Sequence, residues 1–197
     1  MAGIIKSLDI QEDGVSRLAK SSPERAIAEL IWNGLDADAN NITVQVNLND
    51  LHQSIIVQDD GSGINYKVAD GYLHKVGGSW KKLKDVTGAG RTLHGEKGEG
   101  RFKAFSIGRY VQWKTIFKED KKLFEFDIAS SKDEITKIQI SELRHSLNKK
   151  TGTIVEITEL HDAHTVDRKS NIFSNLDNLI DKLCSGLIQQ DTFLREY

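Results

Sequence analysis

Residues 42–48, Ile-Thr-Val-Gln-Val-Asn-Leu, switch between apolar and polar at every step, the period of a half-buried strand. A second apolar run, Ser54-Ile-Ile-Val-Gln, follows a short polar turn at 49–53, so the two read as an antiparallel hairpin. Upstream the period changes. Ile27, Leu30, Ile31 and Leu35 recur at three- and four-residue intervals opposite Glu29, Asn33 and Asp36, as a helix turning by about 100° per residue requires. Ser22 is placed to cap that helix and Pro23 to fill its first position, where a missing N–H costs nothing. Its predicted span is 23–37, and Asn40-Asn41 is a break. Further helices are expected over 65–75 and 101–107, and strands near 110–117, 123–128, 137–140 and 153–157. Residues 3–10 suit a short strand or arm, and 14–20 a helical turn or two. A last helix, 172–187 or beyond, carries Ile172, Leu176, Leu179, Ile180, Leu183 and Leu187. Strands and helices mixed with a hairpin predict an α+β fold, its helices laid on one face of a mixed, mostly antiparallel sheet.

A chain of 197 residues, 38% hydrophobic and 28% charged, suits one domain with its own core. A net charge of -2 gives no general attraction to nucleic acid, so binding of that kind would need a local patch. Cys184 is the only cysteine, which excludes an internal disulfide and fits the apolar side of the last helix. No apolar run approaches the roughly 20 residues a bilayer span needs. No basic-then-apolar leader opens the chain, so the expected location is cytoplasmic. Composition changes the picture at one place. Gly77, Gly78, Gly88, Gly90, Gly95, Gly98 and Gly100 are interspersed with Lys81, Lys82, Lys84, Arg91 and Lys97, and a basic glycine-rich loop of that length is usually functional.

Three short motifs accompany the acid-and-amide helix face. Asp59-Asp60-Gly61-Ser62-Gly63-Ile64 is a turn of conformationally permissive residues at the end of a strand. Gly95-Glu-Lys97-Gly98-Glu99-Gly100 heads a helix, where glycines allow close approach and backbone N–H groups and the helix dipole face an anion. It lacks the Gly-Lys-Ser/Thr of a Walker A loop, and no parallel βαβ unit surrounds it. Thr151-Gly152-Thr153 opens a strand. Each motif alone is commonplace. In this order and at these spacings, over about residues 23–157, they resemble the GHKL ATPase superfamily, which takes in gyrase B, heat-shock ninety chaperones, sensor histidine kinases and MutL.

The resemblance implies a Bergerat-fold two-layer sandwich with a lid at 77–100, and a role for each matching residue. Glu29 takes the place of the general base that activates water, and Asn33 that of the Mg²⁺ ligand. Asp36 supports the metal's water shell or the pocket wall. Asp59 accepts from the adenine amino group, Gly61, Gly63 and Ile64 form the turn beneath the base, and Thr153 supports Asp59 and the base through its hydroxyl. Asp60 departs from the Asn or Thr often found after the first Asp, which leaves the branch of the family open. Gly95, Gly98 and Gly100 shape a phosphate cradle whose donors are the amides of Gly98, Glu99, Gly100, Arg101 and Phe102. Lys81 and Lys97 are candidates to neutralise phosphate, whereas the side chains of Arg101 and Lys103 read as surface groups.

The expected function is Mg²⁺-dependent ATP binding and slow hydrolysis, used as a conformational or dimerisation switch. Its expected partners are ATP and ADP, a second copy of the chain, and further domains or proteins beyond residue 197. Without the transducer domain that supplies a lysine to the γ-phosphate in some relatives, the isolated chain is expected to hydrolyse ATP weakly. A histidine kinase catalytic domain and a non-hydrolysing ATP sensor are the alternatives.

Overall fold

A computed structural model describes residues 3–7, 21–47, 53–72 and 100–161, with the side chains of Tyr72, Gly100 and Arg101 excepted. The lid residues Lys81, Gly95, Lys97, Gly98 and Glu99, the segment 14–20 and the expected last helix with Cys184 lie outside the described residues. In chain order the elements are β1 (Ile4–Ser7), α1 (Pro23–Asp36), β2 (Ile42–Asn47), β3 (Ser54–Asp59), α2 (Tyr66–Tyr72) and α3 (Gly100–Lys103). A 3₁₀ turn (Ala104–Ser106), β4 (Gly108–Glu119), β5 (Lys122–Ser131), β6 (Lys137–Ile140), β7 (Arg144–His145) and β8 (Gly152–Leu160) follow.

The expected α+β class is what forms. The sheet runs in the order β1-β6-β5-β4-β8-β3-β2, with β7 also paired to β5, and among the described residues every pairing is antiparallel. The β2–β3 hairpin is antiparallel as expected, with Ile42 opposite Asp59 and Asn47 opposite Ser54. Sequence order and spatial order part at β8, which inserts between β3 and β4 and so carries Thr153 into the middle of the sheet.

The alternation that predicts strands also sorts their faces. In β8, Thr153, Val155 and Ile157 are buried while the residues between them are less so. Phe102, Phe105, Phe117, Phe126, Ile55 and Ile157 are among the most deeply buried side chains, with Tyr66 edge-on to Phe126 at a centroid distance of 5.0 Å. Helix α1 lays Ala26, Ile27 and Leu30 on this core. Ser22 caps it by accepting from the Arg25 N–H at 3.4 Å, and Pro23 holds the first position, as expected. The expected helix at 101–107 is instead the four-residue α3 running into a 3₁₀ turn. Among the described residues no helix is long and apolar enough to cross a membrane.

Candidate functional site

Three polar residues stand in a row across three adjacent strands. Asp59 ends β3 opposite Thr153 of β8, and Thr153 is opposite Thr115 of β4. The Gly61 N–H donates to Asp59 Oδ1 at 2.9 Å and the Thr153 N–H donates to the same oxygen at 3.3 Å, which fixes the plane of the carboxyl. Burial pushes the Asp59 carboxyl above the usual carboxylate range, against the opposing pull of those two amides, and the Asp60 charge adds to the rise. A carboxyl that is oriented and partly dehydrated suits a directional hydrogen bond from a ligand amino group. The hydroxyls of Thr153 and Thr115 lie 3.2 Å apart in the buried interior, and Thr115 Oγ1 also accepts from the Ile64 N–H at 2.8 Å. Thr115 was not among the sequence candidates. Its signal was available: it is a polar residue on the inward face of β4, between Val111 and Phe117.

The turn after Asp59 is held from both ends. Asp60 Oδ1 accepts from the Asn40 and Asn41 amides, each at 2.8 Å, and Oδ2 accepts from Asn41 Nδ2 at 2.8 Å. The Asn41 side chain first, then the two amides, lower the Asp60 pKa to about 2. Asp60 therefore staples the link between α1 and β2 to the turn, a structural task that accounts for an acid at this position. The Ser62 N–H donates to the Ala37 carbonyl at 2.7 Å, tying the same turn to the end of α1. Gly63 then adopts φ +73°, and a Cβ there would lie 2.1 Å from the Ile116 carbonyl oxygen. Glycine is needed on both counts.

Helix α1 presents its polar face as three different environments. Glu29 is partly buried, Asn33 is exposed, and Asp36 is buried among the residues that pack the helix down. Gly34 brings the helix against the sheet: a Cβ there would meet Asp59 Cβ at 3.0 Å and Ile42 Cδ1 at 2.8 Å. The backbone beside Asn33 is thus set directly against the end of β3.

The reading of Lys103 as a surface residue is corrected here. Its Nζ donates to Glu29 Oε2 at 2.8 Å, because α3 packs against α1 and turns Lys103 toward it. Sequence reasoning missed this because the partners are 74 residues apart. Phe102 sends its side chain into the core, so a ligand could meet only its backbone. A separate groove of about 450 Å³ is lined by Asp60, Lys118, Lys121, Lys149 and Lys150 among others. Neither Glu29 nor Asp59 lines it.

An antiparallel sheet ending in Asp-x-Gly-x-Gly, covered by a helix with an acid-and-amide face, defines a nucleotide-binding domain of the Bergerat type. The family model for histidine kinase-, DNA gyrase B-, and HSP90-like ATPases matches residues 21–154, and the chain belongs to that family. Membership makes it, at the general level, an ATP-binding domain. No curated protein matches the chain at a significant level.

Proposed function

We propose that the chain binds ATP together with Mg²⁺ and hydrolyses it slowly, using nucleotide occupancy as a switch for pairing with a second copy or docking another domain. The observation that carries this reading is the oriented, partly dehydrated carboxyl of Asp59, set against α1 at Gly34 with the exposed Asn33 and the part-buried Glu29 on the same helix. Asp59 takes the adenine amino group, with Thr153 and Thr115 supporting the turn beneath the base. The backbone N–H groups at Gly100–Phe102, with the glycines and Lys81 or Lys97 before them, meet the phosphates.

The donor set fits Mg²⁺ in the form that nucleotide sites use. Asn33 offers a hard amide oxygen one turn from Glu29, and substrate phosphates and waters complete the shell of such an ion. Among the described residues no cluster of three acidic, His or Cys groups forms a cage of the kind a protein-bound metal would take. The ion, when bound, neutralises phosphate charge. Glu29 accepts a proton from water as the water oxygen bonds to the γ-phosphorus. The bond from that phosphorus to the bridging oxygen breaks, ADP leaves with the electron pair, and Glu29 returns the proton to solvent.

Substituting Glu29→Ala and following phosphate release with bound ATP measured in parallel tests this. Release should fall by about 100-fold or more while ATP still binds, in keeping with the usual worth of a general base. Unchanged release would dismiss the hydrolase reading. Transfer of label from γ-labelled ATP to a protein histidine would replace it with a kinase.

A further inference from the structure

Lys103 is flanked by residues of the core. Its neighbours Phe102, Ala104 and Phe105 are buried in the core, and its carbonyl accepts from the Ser106 hydroxyl at 2.7 Å, closing the 3₁₀ turn. The lysine side chain reaches α1 at Glu29. Its contact with Glu29 is 2.8 Å, and the two side chains keep 34% and 21% of their exposure. The Arg109–Asp133 pair, at 49% and 55%, is by contrast an ordinary solvated surface bridge.

We propose that Lys103 is a positioning residue for the Glu29 carboxylate, fixing the base from the first turn after the glycine-rich stretch. The inference rests on the reading of Glu29 as general base. A glutamate side chain has three rotatable bonds, while a base must stand within hydrogen-bond reach of the proton it takes. Misplacement by about an ångström can cost on the order of 100-fold in rate. Lys103 engages Oε2, and among the described residues nothing bonds Oε1, so one carboxylate oxygen is anchored while the other can face water. Removing the ammonium frees the carboxylate to rotate away from the water and slows turnover.

The experiment compares the wild-type chain with Lys103→Ala, Lys103→Arg and Glu29→Gln. It measures Mg·ATP affinity by calorimetry and KM and kcat by phosphate release. Lys103→Ala should lower kcat by roughly 10- to 100-fold with KM and affinity nearly unchanged, and Lys103→Arg should recover most of the loss. Turnover in Lys103→Ala at or above the wild-type rate overturns the proposal. A loss confined to affinity overturns it as well, and marks Lys103 as a phosphate ligand. Thermal midpoints of Glu29→Gln, Lys103→Met and the double variant test the pair without turnover. Non-additive shifts are expected, and additive ones refute the contact. If Glu29→Gln leaves hydrolysis unchanged while the midpoints are non-additive, the base reading has failed although the pair is real, and the positioning role falls with it.

Discussion

Asp59 and Asp60 are adjacent in the chain, and the fold shifts their carboxyls in opposite directions. Asp60 stays at the surface and collects an amide side chain and two backbone N–H groups, which hold its pKa at about 2. It contributes stability above its unfolded pKa near 3.8 that is lost as pH falls toward about 2. Asp59 is partly buried and its pKa is raised above 3.8, so its share of stability is full below that value and is lost as pH rises through the folded pKa. At neutral pH Asp59 is therefore a stability cost retained beside the proposed adenine site. Asp59→Asn keeps an oxygen for the Gly61 and Thr153 amides and removes the charge. Its melting midpoint should exceed that of the wild type at pH 7, with the gap closing near pH 3, while ATP affinity falls at least about 10-fold for want of the acceptor. Calorimetric melting across pH checks the first part and isothermal titration the second. A variant less stable than the wild type at pH 7 would show that burial does not strain this carboxyl.

At the scale of elements, most of the fold is legible where one face is apolar. The 3.6-residue period and the Ser22-Pro23 start predict α1 to within a residue, period-two alternation finds β2, and apolar runs place β4 and β8 near their observed positions. The two-residue β7 carries too few positions to show any period, and the insertion of β8 between β3 and β4 rests on long-range pairing that no local pattern encodes. The same divide runs through the site. Asp59, Gly61 and Gly63 are legible because a turn demands them locally, whereas the Lys103–Glu29 pair and the Thr115–Thr153 contact depend on side chains brought together from 74 and 38 residues away. The turn that joins β3 to α2 has the strictest local requirement. Gly63→Ala would combine a left-handed backbone with a Cβ against the Ile116 carbonyl, and should destabilise the chain by about 2–4 kcal/mol. Urea unfolding measures this, and a loss under about 1 kcal/mol would mean the turn can shift off β4 at little cost.

At the scale of the whole molecule, the residues proposed to meet one nucleotide come from α1, the end of β3 and the starts of α3 and β8, so a single ligand would bridge elements far apart in the chain. A ligand that binds only the folded state stabilises it by RT ln(1 + [L]/Kd), about 2.7 kcal/mol when ligand is at 100 times Kd. For a domain of this size each kcal/mol moves the melting midpoint by roughly 2–4 °C, so saturating Mg·ATP should raise it by about 5–10 °C. The parts of that shift can be separated. Removing Mg²⁺ with a chelator should reduce the ATP-induced shift, because the phosphates then lose the ion that Asn33 is proposed to help hold. The smaller shift produced by adenosine should be unaffected, because Asp59 and the turn beneath the base need no metal. Asp59→Asn should abolish the adenosine shift, and Asn33→Ala should weaken only the Mg-dependent part. Differential scanning fluorimetry over this matrix of ligands and variants reads all four outcomes. An adenosine shift that survives Asp59→Asn would place base recognition elsewhere in the fold.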